Sequence, residues 1–301
     1  MQDFIEELRT STSPETWKVT IENITQQVDN IIKNNLLLKE VFGNTKNKIT
    51  FTFYDGELQA RIKKFSHNDY EIQISTDLIL LLLNYSYQVS QKFNLPTERQ
   101  KDEVFVEKIR SSLFYYWIEI IFLHEISHLF RKHLELMHTN EFHEFYMTPS
   151  KTNVANDLIY YEMDADRYAG KLFAAIFHLS LDTLKKHVFL NENNLIEKFA
   201  IEGSMYLFDL LYKIDQEEEE EEYRTHPHPK QRMVLFLLGI QEAKYQNNNI
   251  FNMTLSELEA LCEKKHIDFI DRYYDDSLDL YVNQIKLLDQ YNKFIKNKGL
   301  V

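Results

Sequence analysis

Residues 113–130 read LFYYWIEIIFLHEISHLF. The run is too apolar for a surface loop and, with Glu119 inside it, too short and too charged for the ~20 apolar residues that cross a bilayer. A buried core helix is the remaining reading. On that helix His124 and His128 lie one turn apart and share a face, so both imidazoles can address a single ion. Glu125 sits on the next radial direction, where it can hold a water at an open coordination position and take its proton. Two neutral nitrogen ligands, one base and one vacant position are the physical content of an HExxH element. Two histidines buried in such a helix without a metal or hydrogen bonds would be costly.

A site of this type needs a third protein ligand from elsewhere. The stretch YYEMDADRYAG (Tyr160 to Gly170) offers Glu162, Asp164 and Asp166 on a second predicted helix. Glu162 and Asp166 are one turn apart and share a face, whereas Asp164 points away. Glu162 is therefore the candidate ligand, and Asp166 the candidate acceptor for the second N–H of a liganding histidine. Ala165 and Gly170 are small enough for close helix packing. An acidic face answered by Arg167 and Lys171 would be the ordinary reading of this segment in the absence of the HExxH element.

Around these motifs the chain is predominantly helical. Its 301 residues contain 6 Gly and 5 Pro, too few for a fold built on many tight turns. Residues 1–47 carry apolar positions at helical spacing, such as Ile21, Ile24, Val28, Ile31 and Ile32, and predict two amphipathic helices before Gly43. Residues 48–75 alternate apolar and polar, with a hairpin turn expected at Asp55-Gly56 and a third strand at Tyr70 to Ser75; they predict a small antiparallel sheet. Residues 76–301 are read as helical, with helices over 77–93, 102–136, 153–178, 194–214, 229–245, 255–265 and 277–296. The expectation is an α+β fold, mostly α, forming a single domain over 1–301.

The formal charge of −13 repels nucleic-acid phosphates and anionic membranes, which disfavours both as partners. Cys262 is alone, no signal-like N-terminus is visible, and the chain reads as cytoplasmic. Glu217 to Glu222 form a charge run expected to stay solvated. His133, His138 and His143 recur every five residues, a spacing that does not hold one helical face, and read as surface or loop residues. Tyr160 and Tyr161 read as packing residues, and Cys262 as an inert packed thiol.

HEISH, then EMDAD, then THPHPKQR (Thr225 to Arg232), in this order, resembles the M48-type gluzincin metallopeptidases. The closer resemblance is to the soluble Lit-type phage-exclusion peptidases, in the layout of residues 48–245. The resemblance implies a zincin-like fold and a Zn2+-dependent endopeptidase with a narrow protein target. For Lit-type enzymes that target is a translation elongation factor, cut in the cytosol during infection, and a phage-derived or host activator is a possible partner. It also implies roles for His226, as a hydrogen-bond donor to the oxyanion, and for Arg232, as support for substrate or transition state. The spacing to Arg232 favours His226, while His228-Pro229 forms a competing pair whose proline suits a helix start. Two other functions remain: a housekeeping or signalling peptidase, and an inactive zinc-stabilised binding protein. The second has no need for Glu125 or an open coordination position.

Overall fold

A computed structural model describes residues 2–34, 48–56, 58–91, 103–137, 141–143, 154–187, 193–216, 227, 229–243 and 289–300. The chain divides into two compact units, Met1–Tyr146 with Ala175–Ile196, and Met147–Ala174 with Glu197–Val301. Among the described residues the protein is mostly helical with one small sheet, as the composition implies.

In the first unit, α1 (Gln2–Ser11) and α2 (Pro14–Asn34) are the two expected N-terminal helices. Three strands follow, β1 (Lys48–Tyr54), β2 (Ala60–Lys64) and β3 (Asp69–Ser75), and then α3 (Thr76–Ser90). Beyond them come α4 (Glu103–Phe130), α5 (His133–Leu136) and β4 (Glu141–His143). The strands are ordered β1-β3-β2-β4.

The sheet is mixed, which corrects the antiparallel expectation: β1 runs parallel to β3, while β2 is antiparallel to both β3 and β4. The hairpin expected at Asp55-Gly56 does not form, because β3 lies between β1 and β2. A type I′ turn requires positive φ at both central residues, and neither Asp55 nor Gly56 has it. The turn formers at 66–69 instead close the β2–β3 hairpin, with the Phe65 amide donating to the Asp69 carbonyl at 2.9 Å. Alternation marks strands but does not select their neighbours. The two interior strands bury the same face, β3 with Tyr70, Ile72 and Ile74 and β2 with Ala60 and Ile62. The other face carries a polar chain across three strands: Thr52 donates to Glu71 at 2.8 Å, Gln73 to Glu71 at 2.7 Å, and Arg61 to Gln73 at 2.7 Å.

Strand β3 passes directly into α3. The Ser75 hydroxyl accepts from the Leu78 amide at 3.1 Å and caps the apolar LILLLL run, an arrangement worth about 1 kcal/mol. Leu78 to Leu82 of this run are buried, and so is most of the apolar stretch over residues 113–130. In α4 every residue from Tyr116 to Leu129 is buried, so the helix is enclosed on all sides. Phe122 meets Phe51 of β1 edge-on at 6.0 Å, and Trp117 lies against Tyr85 of α3 at 5.6 Å. Among the described residues, no helix is long and apolar enough to cross a membrane.

The second unit contains residues of α6 (Val154–His187) up to Ala174, most of α7 (Asn193–Gln216), α8 (Pro229–Glu242) and a last helix, α9, over 289–297. Pro229 occupies the first position of α8, where its missing N–H costs nothing. Helix α6 extends beyond the expected 178. The helix expected at 255–265 and the first part of that at 277–296 fall outside the described residues. Met163, Leu235, Tyr291 and Ile295 form one buried cluster, and Phe236 packs between Phe173 and Phe208.

Gly170 and Gly239 set the spacing of α6 and α8. A β-carbon on Gly170 would lie 1.9 Å from the Phe236 carbonyl oxygen, and one on Gly239 would lie 1.9 Å from that of Arg167. Because backbone lies on both sides, only glycine permits this approach. The packing role read for Gly170 thus has a specific partner.

Candidate metal centre

The last two turns of α4 carry His124, Glu125 and His128, all buried. Helical spacing brings the imidazoles of residues i and i+4 together: their centroids are 4.9 Å apart, inclined at 72°, with the two Nε2 atoms 3.1 Å apart. Donors around a tetrahedral ion with ligand distances near 2.1 Å stand roughly 3.4 Å from one another. The histidine pair already has nearly that separation.

His128 uses its other nitrogen as well. Its Nδ1 lies 2.9 Å from Nδ1 of His133, whose ring is wholly buried. This corrects the surface-or-loop reading of His133. Residues five apart diverge on a continuous helix, but the chain turns between α4 and α5 through Lys132, which adopts the left-handed conformation with φ 58 and ψ 33. That reversal brings the residue at i+5 back onto His128. Nothing in the sequence announces it, since lysine has no preference for this conformation. His138 lies outside the described residues, as does the side chain of His143.

Helix α5 is tied to the sheet. Glu135 accepts hydrogen bonds from Lys64 of β2 and, at 3.2 Å, from the Tyr70 hydroxyl of β3. Burial is the largest single influence and works to raise the Glu135 carboxyl, but the Lys64 hydrogen bond and charge, a backbone hydrogen bond and the Tyr70 hydroxyl together hold the group below its ordinary value.

On α6, Glu162 and Asp166 share a face as expected, and both are buried. Arg232 of α8 binds Asp166 through two hydrogen bonds, Nε to Oδ2 at 2.9 Å and Nη2 to Oδ1 at 3.1 Å. Its Nη2 also lies 3.9 Å from Glu162 Oε2. Asp164, read as facing away, accepts from the buried Tyr291 hydroxyl at 3.1 Å and so anchors α9. Arg167 and Lys171, the cations that would answer an ordinary acidic face, both bind Glu242. Tyr161 is buried, in keeping with a packing role, and the Tyr160 hydroxyl donates to Gln290 at 3.2 Å.

His124, His128 and Glu162 each offer one ligand atom, and these atoms all lie within 4.8 Å of one another. Two imidazole nitrogens and one carboxylate oxygen are a donor set that can hold a metal ion. Thr225, His226, His228, Cys262 and the Glu217 to Glu222 run lie outside the described residues; Pro227 between the two histidines is buried.

No protein-family model, curated protein or solved structure matches the chain.

Proposed function

We propose that the protein is a zinc-dependent endopeptidase of the gluzincin kind, with a zincin-like catalytic unit, acting in the cytoplasm on a narrow protein target. The observation that carries this reading is the buried group of His124, His128 and Glu162, with buried Glu125 next to His124 on the helix of the two histidines. That composition, two histidines, one carboxylate and a neighbouring base, suits hydrolysis better than a purely structural zinc site with four protein ligands. The order of HEISH, EMDAD and THPHPKQR supports the likeness to M48-type enzymes and, among them, to the Lit-type phage-exclusion peptidases. A phage-exclusion effector cutting a host protein such as a translation elongation factor follows from that likeness.

When bound, zinc supplies Lewis acidity at the scissile carbonyl and lowers the pKa of water. Glu125 accepts the proton of the attacking water and delivers it to the leaving amine. His226 donates to the developing oxyanion, a role worth ~3 kcal/mol of barrier. Arg232 holds Asp166 and stands beside Glu162, fixing the acidic face of α6. Strand β1, at one edge of the sheet, offers backbone groups to an extended substrate by strand addition.

The test is Glu125→Gln. Metal content should be unchanged and cleavage lost, read by comparing new protein N-termini in cells expressing either form. Retained turnover removes Glu125 as the base.

A further inference from the structure

We infer that His133 is a positioning residue that fixes the tautomer of His128, so that His128 presents a bare Nε2 to a metal ion. The inference rests on the metal reading above and deepens it. Two imidazole Nδ1 atoms 2.9 Å apart and buried require that one carry a proton and the other accept it. The Nε2 of His128 faces the Nε2 of His124 at 3.1 Å, so Nε2 is the atom it offers to an ion. An imidazole that ligates through Nε2 in its neutral form keeps its proton on Nδ1. His128 is then the donor and His133 the acceptor, with the His133 proton on its own Nε2.

The usual partner of a liganding histidine is a carboxylate or a backbone carbonyl. Here a neutral ring takes that place, held by a short helix rather than by the helix of the ligands. Its position is determined on both sides. Lys132 turns the chain back, and Glu135, two residues after His133, is fixed by Lys64 and Tyr70. The Met137 amide also donates to the His133 carbonyl at 2.9 Å, closing α5 around it. A residue needed only to fill space there could be any apolar side chain of similar volume. What the imidazole adds is an in-plane acceptor aimed at one nitrogen.

Two variants separate the roles. His133→Phe keeps ring volume and removes the acceptor, whereas His133→Asn places an amide oxygen near the position of Nδ1. Zinc affinity is measured on the full chain by competition with a chelator, and the tautomer of His128 by nitrogen chemical shifts in zinc-loaded, histidine-labelled protein. The expected results are a proton on Nδ1 of His128 in the wild type, an affinity weakened roughly 10- to 100-fold in His133→Phe, and an affinity within about threefold of wild type in His133→Asn. Equal affinity of His133→Phe and wild type overturns the inference, as does a proton on Nε2 of His128. Should His133→Phe fail to fold, His133→Asn and the wild-type tautomer still decide: an Asn variant as weak as about 10-fold below wild type counts against the role. A wild-type chain that binds one zinc while His133→Phe binds it equally well refutes only the role of His133. A wild-type chain that binds none refutes the metal reading itself.

Discussion

Gly170 and Gly239 face one another where α6 and α8 cross: a β-carbon placed on Gly239 would lie 3.1 Å from the Gly170 Cα and 1.9 Å from the Arg167 carbonyl oxygen. From that crossing, one helical turn back along α6 reaches Asp166 and two turns back along α8 reach Arg232. The glycine pair therefore sets the distance over which the Arg232 guanidinium meets its carboxylates. Gly239→Ala should push the helices apart and destabilise the protein by about 3 kcal/mol, the upper range for overpacking a filled core. Urea unfolding of the variant measures this, and a change below about 0.5 kcal/mol, the usual size for a surface site, would show that the approach is not tight.

The Arg232–Asp166 pair is buried and held by two hydrogen bonds. Removing one partner leaves a charge without its counter-ion in a low-dielectric interior, at a cost of about 3–5 kcal/mol. Arg232→Met should therefore be strongly destabilising, and Arg232→Met combined with Asp166→Leu should recover much of the loss. A double-mutant cycle on unfolding free energies provides the measurement. Additive losses in the double variant would mean that the two side chains do not act on one another.

Glu135 predicts a pH dependence. Its folded-state value is held below 4.5, so the stability it contributes is complete above that ordinary value. It is lost as pH falls through the depressed one. Lys64, raised above 10.5 by the same hydrogen bond, loses its share at the alkaline end, as pH rises through its folded value. Between these limits Glu135→Gln should melt below the wild type, and the gap should close as pH falls below the carboxylate range. Thermal melts of both proteins from pH 7 to pH 3 test this. A gap that stays constant over that range would contradict it.

Lys132 is held in the left-handed region, where a residue with a β-carbon is strained by ~1 kcal/mol. Lys132→Gly should relieve that strain and raise the unfolding free energy by a similar amount, less the extra chain entropy of glycine in the unfolded state. A clear loss of stability in this variant would mean that the lysine side chain itself holds the turn.

Much of this architecture can be read from local pattern. The apolar run before His124 predicts a buried helix, the i, i+4 spacing of His124 and His128 predicts paired imidazoles, and the same spacing puts Glu162 and Asp166 on one face. Gly170 signals close packing because glycine inside a helix needs a reason. What the pattern does not carry is long-range choice. Asp55-Gly56 has the chemistry of a hairpin turn, yet β3, with Tyr70, Ile72 and Ile74 buried, comes between β1 and β2. His133 is hidden for the opposite reason: its burial depends on one residue, Lys132, adopting a conformation that its own chemistry disfavours. Asp164 reads only as pointing away from Glu162, and its partner Tyr291 lies 127 residues later in the sequence.

The proposed function depends on one metal ion shared by His124, His128 and Glu162. Its most direct measurement is the metal content of the purified chain, by elemental analysis after gel filtration, for wild type, Glu162→Ala and the His124→Ala/His128→Ala pair. The expected result is about one zinc per wild-type chain, reduced retention in Glu162→Ala and none in the double histidine variant, each of the three donors being needed for tight binding. A wild-type chain that takes up no divalent metal, or a double variant that retains it at wild-type stoichiometry, would contradict it.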